Sequence, residues 1–232
     1  MPLTISHRGH TYKRSWAMIA SVTRALDGRK VELADPKWQM KATRSDVAFI
    51  FEGDSGSGEV PLLDQRVKSI NELGKWIDSY GGLKKILERC EGKCLKLIEL
   101  LCEMPNWNDS LLYGPVGNER MWILKRAQLL CADLWYCGMQ SEETEISKLC
   151  KFEDIHQLSA FADYRIPQSL ESMGALEYSE HLKKLLNEQH RFKPGEQEEV
   201  EIRAVSVHAA HLVANELRNC EEFKRSLQRS PT

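Results

Sequence analysis

The chain has 232 residues, 42% of them hydrophobic and 28% charged, with a formal net charge of -2. That apolar share is enough for a buried core, and the near-balanced charge gives no broad basic field, which counts against tight binding to long nucleic acids. No window approaches the roughly 20 apolar residues of a membrane span.

The opening Met-Pro-Leu-Thr-Ile-Ser-His-Arg-Gly-His has no apolar run of signal-peptide length. The seven cysteines are odd in number and fall mostly within apolar helical patterns. A reduced, soluble, cytoplasmic protein is the expectation.

The pattern is helical nearly throughout. Residues 15–26 place Trp16, Ile19, Ala20, Val22 and Leu26 at helical spacing, with Gly28 as a stop. Asp35-Pro36 reads as a cap followed by proline at the first helical position. The apolar run 47–51 fits helix or strand equally. Residues 63–80 form a stronger helix, ended by Gly81-Gly82, and 83–90 and 94–104 form two more, parted by Gly92. A loop is expected over 105–117 and the most apolar helix over 121–137. Short helices follow at 153–162, 167–173 and 179–187. A long helix over 197–217 turns Ile202, Val205, Ala209, Leu212 and Val213 inward. No segment alternates with period 2. The expected architecture is all-α, a single globular domain over 1–220 with a polar, frayed tail over 221–232.

The loop Gly53-Asp54-Ser55-Gly56-Ser57-Gly58 echoes a serine-protease nucleophile loop. That chemistry needs histidine and aspartate partners on a β-scaffold, and no such strand pattern is present. It reads as a surface loop. Cys90 and Cys94 are four apart and His208 and His211 three apart, close enough for each pair to share a face if one helix carries both, but neither pair finds the further ligands zinc requires, so no metal and no cofactor are called for.

Lys125 sits in the apolar helix, either at its wet edge or as an anchor for phosphate or sugar. Asp133 lies eight residues on, about 80° round and roughly 12 Å along, so it shares a face region but cannot pair with Lys125. Glu199, Glu201 and Arg203 open the last helix. First-turn acids and an i,i+4 Glu199–Arg203 pair account for them, with a substrate role as the alternative.

The most informative stretch is Phe161-Ala162-Asp163-Tyr164-Arg165-Ile166-Pro167-Gln168. It sets one carboxylate between aromatic rings, beside a guanidinium and before a proline that restricts the backbone. Asp163 there is either a helix cap or an acid facing a cationic sugar as a glycosidic bond breaks.

Four blocks in order carry a resemblance. They are Tyr12-Lys13-Arg14-Ser15-Trp16 with Arg24-Ala25-Leu26-Asp27; Pro61-Leu62-Leu63-Asp64-Gln65-Arg66-Val67; Lys125-Arg126-Ala127-Gln128 through Ala132-Asp133-Leu134-Trp135; and the Phe161–Gln168 stretch. Gly174-Ala175-Leu176-Glu177-Tyr178-Ser179 and Gln197-Glu198-Glu199-Val200-Glu201-Ile202-Arg203 extend it to roughly residues 10–218. Together they resemble the queuosine salvage protein family, the queuosine 5′-phosphate N-glycosylase/hydrolases.

The resemblance implies an all-helical architecture like that of helical DNA glycosylases. It implies hydrolysis of queuosine 5′-monophosphate to free queuine, with Asp163 as the catalytic carboxylate. Ala160 and Phe161 would border the base, Lys125 would help hold the nucleotide, and Tyr164 would join the pocket. The partner implied is this small nucleotide, with no stable nucleic-acid complex and no membrane. The family pattern extends further at both ends. A shortened form that only binds queuine, its nucleotide or a partner protein is therefore the alternative expectation.

Overall fold

The computed structural model describes residues 3–28, 31–113, 119–193 and 195–220. Among these the chain is mainly α-helical, with eleven helices and two small antiparallel hairpins. It divides into two compact units, Met1–Arg89 and Cys90–Thr232. The tail expected over 221–232 lies outside the described residues. No helix among the described residues is long and apolar enough to cross a membrane.

The first unit opens with a hairpin that period-2 reasoning did not find. β1 (Thr4–His7) pairs with β2 (His10–Lys13), Ile5 opposite Tyr12. Four-residue strands are too short to show a period. The turn is what defines them: Arg8 and Gly9 have φ of 50° and 78°, the left-handed pair that matches strand twist in a two-residue loop. Ile5 is fully buried with Ala17, Val47 and Ile50. α1 (Arg14–Asp27) buries small residues, Ala17, Ala20, Ser21 and Ala25, and leaves Trp16, Ile19 and Leu26 exposed.

Asp35 accepts from Lys37 N at 2.9 Å and caps α2 (Pro36–Lys41), with proline at the first helical position as expected. The ambiguous run over 47–51 is resolved by a capping box. Thr43 and Asp46 satisfy each other's backbone N–H and start α3 (Arg44–Ile50). The Gly53–Gly58 segment is a loop tethered to β1, since Asp54 N donates to Thr4 O at 2.9 Å and its carboxylate accepts from Ser6 Oγ at 2.7 Å.

α4 (Leu63–Ser79) lies close on α2. Asn71 Nδ2 donates to the carbonyls of Gln39 and Ala42 at 2.7 and 3.0 Å, satisfying the end of α2. A Cβ on Gly74 would stand 2.6 Å from Gln39 Cβ, 2.7 Å from Met40 N and 2.8 Å from Pro36 O. Two of these are backbone atoms and cannot yield alone. Gly74→Ala is therefore expected to destabilise the fold by about 1–3 kcal/mol, read as a lower urea midpoint. α5 (Leu83–Arg89) ends the unit.

In the second unit, α6 (Cys94–Leu101) has Lys93 at its cap position without a side-chain cap. Asp154, 5% exposed, supplies one instead, accepting from Cys94 N at 2.6 Å and Leu95 N at 3.2 Å. Burial raises this carboxyl, but the backbone N–H bonds outweigh it and the net shift is downward. A depressed carboxyl contributes stability above its unfolded value near 4, lost as pH falls through the folded value. Asp154→Ala should cost about 2 kcal/mol at neutral pH. The deficit should shrink in acid-unfolding curves below about pH 4.

The second hairpin corrects two expectations. β3 (Ser110–Tyr113) falls in the expected 105–117 loop, and β4 (Glu119–Trp122) takes the residues expected to begin the apolar helix. Leu124 sits at φ 51°, and Ile123 N and Leu124 N donate to Asp109 O. Helical bonding cannot run back through that geometry, so α7 spans Lys125–Gln140. α8 (Glu145–Leu149) follows.

The helix expected over 153–162 is only a 3-10 turn at Ile155–Gln157. Tertiary bonds take over there, with Ser159 N donating to Gln128 Oε1 at 2.7 Å. α9 (Arg165–Ser172), α10 (Glu180–Asn187, capped by Ser179) and α11 (Gln197–Asn219) complete the unit. On α11 the expected inward set is also corrected. Val200 and Ser206 are buried, while Val205, Leu212 and Val213 are exposed.

Candidate active site

A cleft of about 910 Å³ in the second unit is lined from the 105–109 loop, the start of α7, residues 162–171, Tyr178, Leu186, Phe192 and α11. Its size and mixed lining suit a small-molecule ligand.

Asp163 lies at its heart. The Lys125 ammonium reaches Asp163 Oδ2 at 2.8 Å, and Arg165 N donates to Oδ1 at 2.8 Å. Both side chains are about 30% exposed (Lys125 30%, Asp163 28%). The cap reading of Asp163 is met by the bond from Arg165 N, and the same side chain lines the cleft. One oxygen satisfies the start of α9, whose first turn tolerates Pro167 because that position needs no backbone donor. The other faces Lys125.

Burial pushes the Asp163 carboxyl up. The Lys125 hydrogen bond, the Arg165 N–H, the Lys125 charge and the Ile166 N–H push it down further, so the net shift is downward. At neutral pH Asp163 is a carboxylate.

Gln128, one turn beyond Lys125, links the two segments that carry these side chains. Its amide nitrogen donates to Ile123 O at 2.9 Å, and its oxygen accepts from Ser159 N, four residues before Asp163. Buried Gln128 thus ties the start of α7 to the strand of chain that carries the acid. A polar residue inside the expected helix was on the page, but its partner is 31 residues away and has no local signature.

A second charged group lines the cleft. Arg203 on α11 donates to Asp109 through both terminal nitrogens, with the Nη1–Oδ1 distance 3.1 Å, and to Glu199 at 2.9 Å. The Glu199–Arg203 pair is thus made as its i,i+4 spacing implies. Burial lowers the guanidinium's affinity for its proton, but the two carboxylates raise it more. Asp109 was not singled out in the sequence. Its backbone carbonyl holds the start of α7 while its side chain holds α11.

Of the residues expected at the site, Lys125, Asp163 and Tyr164 line the cleft, and Tyr164 is 68% exposed. Ala160 and Phe161 are half-buried and do not line it. Its aromatic surface comes from Tyr164, Tyr178 and Phe192. Asp133 is exposed and outside it. Among the described residues no three His, Cys, Asp or Glu side chains gather as metal ligands. Burial pushes the Cys90 and Cys94 thiols up to about 11 and about 12.

Comparison with known proteins bears on the family of the chain. The family model described as queuosine salvage protein matches residues 2–229. A Sphaerobacter thermophilus protein named queuosine 5′-phosphate N-glycosylase/hydrolase is 34% identical over 206 residues, covering 88% of this chain and 60% of that protein. Proteins of the same name from Nematostella vectensis and Mus musculus are both 32% identical, covering 91% and 92% of this chain and 59% and 61% of their own length. The chain thus spans about 60% of the length of the curated relatives it matches. With its four ordered blocks and a family match over nearly its whole length, the chain belongs to the queuosine salvage protein family.

Proposed function

We propose that the chain hydrolyses the N-glycosidic bond of queuosine 5′-monophosphate, releasing queuine for salvage into tRNA. Its relatives' name supports the reaction. The observation that carries it in this chain is Asp163, held ionised by Lys125 inside a cleft with aromatic walls. Breaking the bond builds positive charge on the sugar. A fixed carboxylate beside the anomeric carbon stabilises that charge as it forms, with no reorganisation at the moment of reaction.

Its lowered affinity for protons bears on the role of Asp163. A general base works best with a pKa near the operating pH, and this carboxylate is shifted the other way. Electrostatic stabilisation of the oxocarbenium-like state, or direct attack on it, fits better than activation of water. Queuine is a 7-deazaguanine and lacks the N7 that purines use to accept a proton on leaving. More of the barrier therefore falls to the carboxylate and to hydrogen bonds around the base.

Tyr164, Tyr178 and Phe192 would bracket the flat base. Lys125, committed to Asp163, acts on the acid rather than as the main nucleotide anchor. The reading places the reaction in the cytoplasm, on a free nucleotide rather than on nucleic acid.

The test is incubation of the chain with queuosine 5′-monophosphate in phosphate-free buffer. Queuine and ribose 5-phosphate in equal amounts are expected by mass spectrometry. Unchanged substrate with folded protein would overturn the proposal. Turnover only on adding phosphate would make it a phosphorylase.

A further inference from the structure

The charges of the cleft do not all cancel within the protein. Lys125 pairs with Asp163, and Arg203 pairs with both Asp109 and Glu199, a group with one negative charge in excess. Two charged side chains remain. Arg126 donates only to a carbonyl, Asn106 O at 3.2 Å, and has no carboxylate partner among the described residues. Glu171 has no hydrogen-bond or ion-pair partner for its carboxylate among the described residues. Both are exposed and both line the cleft. An unsatisfied cation and an unsatisfied anion in one cleft describe a ligand that carries one charge of each sign.

Arg126 is adjacent to Lys125 in the first turn of α7, on the side of the 105–109 loop. Glu171 lies on α9 one turn beyond Pro167, about 6 Å along the axis, and on the face that also presents Pro167 and Gln168. Buried Tyr178 is near enough that the Glu171 charge, after burial, raises its phenol. Arg126 and Glu171 thus reach the cleft that Asp163 lines from two different helices, α7 and α9.

A nucleotide keeps its phosphate apart from its base, one on each side of the anomeric carbon. Queuosine 5′-phosphate matches the signs as well. Its base carries an aminomethyl arm whose secondary amine is protonated at neutral pH.

We propose that Arg126 receives the 5′-phosphate and Glu171, with Tyr178 beside it, receives the secondary ammonium of the queuine arm. This rests on the substrate proposed above and adds how it is recognised. A planar guanidinium suits phosphate, and an ammonium between a carboxylate and a phenol ring gains both an ion pair and a cation–π contact. The pair also sets a preference. Nucleotides with neutral bases satisfy Arg126 and leave Glu171 unpaired, whereas the free nucleoside does the reverse.

The two reaction products separate the contributions without turnover. Affinities are measured calorimetrically for queuine, for 7-deazaguanine, which lacks the arm, and for ribose 5-phosphate. Glu171→Gln should weaken queuine about tenfold and leave 7-deazaguanine and ribose 5-phosphate unchanged, and Arg126→Gln should weaken ribose 5-phosphate about tenfold and leave queuine unchanged.

If Glu171→Gln weakens queuine and 7-deazaguanine alike, the carboxylate reads the pyrimidine edge of the base and the proposal fails. It fails too if neither variant moves its ligand, or if the unmutated chain binds neither product. Selective losses in a chain that releases no queuine would uphold these contacts while overturning the hydrolase reading. Hydrolysis without selective losses would do the opposite.

Discussion

Replacing Lys125 with methionine should lower kcat/KM for queuosine 5′-monophosphate about 10²-fold and move the acid limb of its pH profile upward. The side chain keeps its apolar stem but loses the ammonium 2.8 Å from Asp163 Oδ2. The sign follows from what acts on the acid. Burial raises the Asp163 carboxyl, and Lys125 contributes two of the opposing effects, a hydrogen bond and a charge. Without them the carboxyl climbs toward or above the ordinary aspartate value near 4, so activity falls away at a higher pH. A residue that only gripped the nucleotide would raise KM and leave the limb in place. Titrating kcat/KM of Lys125→Met between pH 3 and 8 separates the two. An unmoved limb would remove Lys125 from the account of Asp163.

The largest expected effect is that of Asp163→Asn, a loss of about 10³-fold or more in kcat. The amide oxygen still accepts from Arg165 N, so the start of α9 keeps its cap. What disappears is the negative charge. The circular dichroism spectrum should be unchanged, with melting displaced by only a few degrees, because the lost pair is partly solvated. A capping aspartate would behave differently, since its replacement by asparagine is nearly neutral. Retained turnover in Asp163→Asn would therefore return the residue to its structural role.

Much of the helical framework was readable because its signals are local. Asp35-Pro36 and Ser179 cap helices in the structure, and both stand beside their helix starts in sequence. The Asp163 stretch was legible for a similar reason, as a compact motif. The failures all involve partners distant in sequence. Met121 and Trp122 have helical apolar spacing, but they pair with Leu111 and Ser110 across a hairpin. Residues 153–162 lost their helix to Asp154 and Ser159, whose bonds reach α6 and Gln128.

The site shows the same division. Glu199–Arg203 follows from i,i+4 geometry, whereas Asp109 joins it from 94 residues away. The aromatic lining of the cleft divides likewise. Phe161 adjoins the acid in sequence but is not part of the lining, and Phe192 is. On α11, the apolar spacing of Val205, Leu212 and Val213 shows which residues share a face, but not that anything covers it.

The most direct test is a side-by-side assay of the unmutated chain and Asp163→Asn on queuosine 5′-monophosphate, with queuine quantified by mass spectrometry and folding checked by circular dichroism. The account predicts queuine from the unmutated chain and at least about 10³-fold less from the variant, with both folded alike. Equal release from the two would place the chemistry elsewhere than Asp163. No release from either folded protein would contradict the hydrolase assignment for this chain.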